Sequence, residues 1–322
     1  MGKIFTFIKE KSLIIIVVLL LTVTVLSYST IKLKTGYAVL TERESKFELL
    51  SPSIAWMETE DFLVQQEKYN INYVELKKQV LNELQKKPDE IYGFYFEDLT
   101  TGAWIGINEK EKFIPMSLFK VPLMIAILKK VEQGEISLDQ KVMVDSEDLD
   151  ARSGLLALNG AGYETTIKQL ITQMVQESDN TAMNALIGFA TDEDYMRVVT
   201  MIGLPKQYEG NAVSPKEYAN IFRLLYFSTY LRRPFSEIAL TVMMDTKFNS
   251  QLPAGLPADV KISHKVGFDT TRGFYHDCGI VYLKDHNYLI CVMSKNTVQE
   301  KADKMISQLS KIVYDYNKNM LL

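Results

Sequence analysis

The chain has 322 residues and a formal net charge of −4, with 40 acidic against 36 basic side chains. That balance, with no basic run interleaved with aromatics, argues against nucleic acid as the main partner. Only two cysteines and three histidines are present, with no Cys-x-x-Cys or His-Glu-x-x-His spacing, so no metal site and no cofactor is expected.

Taken in order, a short basic tip carrying Lys3, Lys9 and Lys11 precedes the uncharged run Leu13–Ile31. At about 19 residues the run just spans a hydrocarbon core as a helix. The preceding lysines place the amino terminus inside and the bulk of the chain outside the cytoplasm, although Lys32 and Lys34 weaken the asymmetry. An uncleaved anchor (residues 1–31) in the cell membrane is expected. The alternative is a signal peptide cut near Ser27-Tyr28-Ser29, giving a secreted protein. Residues 32–72 show no sustained period and read as an extracytoplasmic stalk. The catalytic domain is expected from 73 to 322.

In that domain, Val74–Gln85 has helical apolar spacing, and Ile91–Glu97 and Ala103–Ile107 read as a hairpin across Thr100-Thr101-Gly102. A helix around Ser117 runs to Gly134, its expected C-cap. Thr166 and Gln169 form a capping box that opens Ile167–Glu177. The helix breaks at Ser178-Asp179-Asn180, resumes over Ala182–Phe189, and Thr191 caps another that ends at Gly203. After the short loop Leu204–Val213, Ser214-Pro215-Lys216-Glu217 is a helix start, and Ser236–Asp245 is a further helix. Strands follow at Val260–Gly267, Cys278–Leu283 and Tyr288–Met293, then a helix from about Glu300 to Tyr316. The order implies an α+β fold: an antiparallel sheet of about five strands covered by the first and last helices, with an inserted all-helical lobe over about residues 112–255. Cys278 and Cys291 flank the last hairpin and are expected as buried free thiols, because its register is not fixed by sequence.

Ser117 lies three residues before Lys120, on one helical face, so the amine can reach the hydroxyl. A lysine activates a serine only when burial or neighbouring cations lower its pKa. The spacing alone is weak evidence, since Ser29 and Lys32 repeat it beside the apolar run. Two further clusters follow in order, Ser178-Asp179-Asn180 and Lys265-Val266-Gly267. By itself the first is an ordinary helix-capping turn, and the second a strand end in which His264 is one more strand residue.

Together the three clusters resemble the signature S-x-x-K, S-D-N, K-T-G of the class A β-lactamase and penicillin-binding serine hydrolase family. The resemblance covers roughly residues 75–320 and includes Phe119, the helix before Ser178 and the Ser214-Pro215 start. It implies Ser117 as nucleophile, Lys120 as acylation base, and Ser178 as proton shuttle to the leaving nitrogen. Lys265 is implied as the cation that attracts a carboxylate and lowers the proton affinities of Lys120 and Ser178. Asn180 and Gly267 are implied at the substrate, Asp179 in a structural turn, and the amides of Ser117 and Phe268 in the oxyanion hole. The expected substrate is a β-lactam or a D-Ala-D-Ala-like peptide. Two departures stand out. Val266 replaces a hydroxyl residue, with Thr270, Thr271 or Arg272 as candidate substitutes, and the Leu204–Val213 loop leaves only Glu209 as a deacylating carboxylate. Alternative readings are a D-Ala-D-Ala-type peptidase with slow β-lactam turnover and a penicillin-binding sensor without turnover.

Overall fold

The computed structural model describes residues 48–51, 73–86, 89–204, 212–284 and 286–320. The run Leu13–Ile31 and Glu209 lie outside these residues, and among the described residues no helix is long and apolar enough to cross a membrane. The described residues from Leu49 onward form one compact unit. Leu49 and Leu50 are buried, Leu49 N donates to the Glu237 carboxylate, and Ser51 N donates to Tyr226 O. The folded unit therefore takes in part of the 32–72 segment read as a stalk.

The amphipathic helix α1 (Val74–Leu84) leads into the hairpin β1 (Ile91–Asp98) and β2 (Trp104–Ile107). A helical lobe follows: α2 (Lys120–Gln133), α3 (Ile167–Gln176), α4 (Asn180–Ile187), α5 (Asp192–Met201), α6 (Pro215–Tyr226) and α7 (Arg233–Val242). Between α2 and α3 the chain forms a separate pair, β3 (Lys141–Met143) and β4 (Glu164–Thr166); after α7 it returns to the sheet as β5 (Lys261–Asp269), β6 (Phe274–Tyr282) and β7 (Tyr288–Lys295), and closes with α8 (Gln299–Met320). The strand order β2-β1-β7-β6-β5, all antiparallel, leaves β5 on an outer edge.

Strand side chains alternate between faces. One face of the sheet, with Phe94, Phe96, Ile290 and Val292, packs on Leu76 and Val80 of α1 and Met305, Ile306 and Leu309 of α8. The other carries Lys265, Gly267 and His276 toward the lobe. The alternation thus sets a largely apolar face, which also buries His264 and Asp277, against the face that carries Lys265.

The caps explain where the lobe helices start and stop. Gly134 ends α2 in the left-handed region at φ 77°. Ser214 and Glu217 form a reciprocal capping box with Pro215 in the first turn, and Thr191 and Asp194 form another. Thr166 caps α3 through Gln169 N, but the expected reciprocal bond is absent because the Gln169 side chain accepts from Thr165 Oγ1. Two three-residue strands, β3 (Lys141–Met143) and β4 (Glu164–Thr166), pair far apart in sequence and carry no readable alternation.

The free-thiol expectation is corrected: Cys278 and Cys291 are disulfide-bonded. The β6–β7 register sets them directly opposite, with Cα atoms 4.0 Å apart. A one-residue slip would have sent them to opposite faces, which is why the sequence could not decide.

Candidate active site

Ser117 sits in a 3₁₀ turn, Met116–Phe119, that runs directly into α2. Residues three apart eclipse in such a turn, which stacks Ser117 over Lys120. The chain enters the turn through Met116 at φ 51°, and Ser178 has φ 55°. Left-handed backbone costs a non-glycine residue roughly 1–2 kcal/mol, so neighbouring contacts must hold both.

Those contacts are specific. His276 Nε2 donates to Ile114 O at 2.8 Å and Tyr218 Oη donates to Leu118 O at 2.9 Å, while Phe113 bridges to Val213. Ser294 N donates to His276 Nδ1, which fixes the tautomer, and burial pushes this imidazole down to about 4, so it stays neutral. A Cβ on Gly267 would lie 2.5 Å from Pro115 O and 3.2 Å from Leu118 N. The resemblance implied that Gly267 admits substrate. It also makes room for the nucleophile's own turn, bringing β5 against Ser117.

Lys120 is fully buried and does not hydrogen-bond Ser117, contrary to expectation. Its Nζ donates to Ser178 O at 2.5 Å and Asn180 Oδ1 at 2.8 Å, and lies 3.4 Å from Ser178 Oγ. The first two partners only accept. A neutral amine has two N–H bonds, which these two acceptors occupy, so its lone pair faces the Ser178 hydroxyl at 3.4 Å. Burial pushes Lys120 down to about 8, against the opposing pull of Asp179 and Asp150.

Lys265 is also fully buried, and its Nζ donates to Ser178 Oγ at 3.1 Å and Val266 O at 3.2 Å. Burial first, and the Lys120 charge second, push Lys265 down to about 7. The Ser178 hydroxyl is therefore shared by two amines that hold their protons weakly. Both directions follow from desolvation, which disfavours the charged form.

Asp179 is buried and bonded on both carboxylate oxygens. It caps α4, with Oδ1 accepting from Ala182 N, and its Oδ2 accepts from Leu156 N, both at 2.8 Å. Asn180 Nδ2 donates to Asp150 Oδ2 at 3.3 Å, which orients the amide oxygen toward Lys120. Val266 is buried on the face opposite Lys265, so it offers the cleft nothing in place of a hydroxyl. Of the candidate substitutes, Thr270 and Thr271 are exposed turn residues. Arg272 pairs with Asp269 at 2.8 Å and reaches Met116 Sδ at 3.6 Å, on the Ser117 side. Phe268 follows Gly267 on the edge strand and is 40% exposed.

A cavity of about 420 Å³ lies on the other flank, beside Met116 and Phe119. Its walls include Leu123, Val199 and both ends of the 204–213 loop, and Asp192 is the one carboxylate among the described lining residues.

An α+β fold that gathers a serine turn, two buried lysines and a second serine defines a serine acyl-transfer enzyme. Comparison with known proteins gives the lineage: residues 75–317 match the model of the beta-lactamase enzyme family, and the chain belongs to that family. It is a serine hydrolase of the class A type. It is 25% identical to β-lactamase SME-1 of Serratia marcescens, covering 72% of this chain and 86% of that protein. The extended-spectrum β-lactamase PER-1 of Pseudomonas aeruginosa is also 25% identical, over 65% of this chain and 77% of its own. Among solved structures, PBP-A superposes with a TM-score of 0.70 at 23% identity, covering 76% of this chain and 97% of that one. A mutant of PBP-A is known as an acyl-enzyme complex with penicillin G.

Proposed function

We propose that the protein forms an acyl-enzyme through Ser117 on a β-lactam or a related cell-wall peptide amide, and that it does so outside the cytoplasm. The observation that carries this reading is the convergence of Lys120 and Lys265 on Ser178, with Ser117 one turn before Lys120. Ser117 Oγ attacks the carbonyl carbon while its proton passes to the lone pair of neutral Lys120. The amides of Ser117 and Phe268 hold the oxyanion, Ser178 delivers a proton to the leaving nitrogen, and the C–N bond breaks to leave a Ser117 ester. Lys265 attracts the substrate carboxylate, and Asn180 receives the substrate amide. Water then hydrolyses the ester and regenerates the serine.

Release is the slower half. The short Leu204–Val213 stretch, with Glu209 its sole acidic residue, favours the readings of a D-Ala-D-Ala-type peptidase with slow β-lactam turnover or a penicillin-binding sensor without turnover. Two features support the location: the uncharged run Leu13–Ile31 and the Cys278–Cys291 disulfide, a bond that persists in oxidising compartments. The mass of the mature protein separates an uncleaved anchor from a cleaved signal.

The test is to incubate the full-length chain with a fluorescent penicillin and resolve it on a denaturing gel. A covalent band that disappears in Ser117→Ala is expected. No band from wild type overturns the penicillin-recognising reading.

A further inference from the structure

Behind Lys265 the chain buries an acid and an imidazole that acyl transfer does not use. His264 and Asp277 are 1% and 0% exposed. Asp277 Oδ1 lies 2.8 Å from His264 Nδ1, and Asp277 Oδ2 accepts from Leu252 N at 3.0 Å. With the carboxylate accepting on both oxygens, Nδ1 carries the hydrogen and Nε2 accepts from the Thr246 hydroxyl at 3.3 Å. Thr246 Oγ1 in turn accepts from Phe248 N at 3.1 Å. Every donor in this chain of bonds has its acceptor.

The order Asp–His–hydroxyl is that of a nucleophilic relay. Thr246, however, is only 7% exposed and its oxygen is taken by Phe248 N, so the hydroxyl is not presented to a substrate. What the relay does hold is a loop. From the β5 side, His264 grips Thr246. From the lobe side, Lys247 N donates to Gln176 O at 3.0 Å and Lys247 Nζ pairs with Glu177 at 2.7 Å, immediately before Ser178. Phe248, next along, stands 5.6 Å from Lys265 Nζ and 5.9 Å from the Phe268 ring, measured to ring centroids.

We infer that Asp277, His264 and Thr246 form a positioning relay that sets Phe248 against Lys265 and Phe268, closing the wall between the second and third motifs. The inference rests on the acyl-transfer reading of Ser117. Lys265 is held by this wall on one side and by Ser178 Oγ on the other. Loss of the wall lets water reach the amine and lets it drift from Ser178.

The experiment measures the limiting acylation rate and the half-saturating concentration of a fluorescent penicillin on the full-length chain. Thr246→Val removes the hydroxyl at constant size and buries no new charge. It is expected to lower the limiting rate about tenfold with the half-saturating concentration changed less than about twofold. Thr246→Ser is expected to restore the rate. A purely structural role predicts a smaller labelled fraction that still reacts at the wild-type rate, and that result overturns the inference. If Thr246→Val does not fold, the half-buried Phe248→Ala carries the same expectation, and an unchanged limiting rate overturns it. A wild type that takes no label defeats the acyl-transfer reading itself, whereas a labelled wild type with an equally fast Thr246→Val defeats the relay alone.

Discussion

The two flanks of Ser117 are built on opposite principles. On the Ser178 side, two fully buried amines share one hydroxyl, and each remaining N–H finds a carbonyl or amide oxygen. On the Met116–Phe119 side lies a cavity of about 420 Å³ whose described walls are mostly apolar. Burying a lysine without good partners costs several kcal/mol, so the polar flank exists only because the fold supplies those partners. Among the described residues, the apolar flank buries no charged amine and carries no comparable expense. The contrast teaches that the groups proposed for forming the acyl-enzyme sit on one wall of the cleft, apart from the apolar wall beside Met116 and Phe119.

Removing the polar flank should have the largest effect. Lys120→Ala takes away the base and should slow penicillin acylation about 10³-fold, read as the initial labelling rate. Gly267→Ala tests how closely the two sides of the cleft must approach. The added methyl meets Pro115 O and Leu118 N, so β5 or the Ser117 turn must shift. A fall in acylation of about 10–100-fold is expected with the labelled fraction unchanged.

The pH profile sharpens the comparison further. Protonated Lys120 has no lone pair, and its pKa is pushed down to about 8 by burial. At saturating penicillin the limiting acylation rate should therefore rise with pH and level off near 8, falling about tenfold per unit below, while the half-saturating concentration rises above about 7 as Lys265 loses its charge. The smallest effect belongs to the apolar flank. Asp192 is exposed at the cavity's edge, and Asp192→Asn should leave the lifetime of the labelled enzyme within about twofold of wild type. A much longer lifetime would give that wall a carboxylate with a role in release.

Most of the polar flank was legible in the sequence, because Ser117, Lys120, Ser178, Asn180 and Lys265 lie in short motifs on elements with clear helical or strand patterning. The partners of Lys120 were not. They depend on how the left-handed Ser178 turns its carbonyl, which no residue spacing records. The role of Gly267 was equally hidden, since the atoms it makes room for lie some 150 residues earlier, at Pro115 and Leu118. The His264–Asp277–Thr246 relay joins a strand, its neighbour and a loop, and each member alone reads as ordinary. The disulfide hung on register, which a five-residue connection between Tyr282 and Tyr288 leaves open.

The difference between the flanks is tested most directly by following one turnover of penicillin on the full-length chain by intact mass. Rapid formation of a single adduct on Ser117 that persists for hours is the predicted result. Return to the unmodified mass within seconds, with hydrolysed penicillin released, would contradict it.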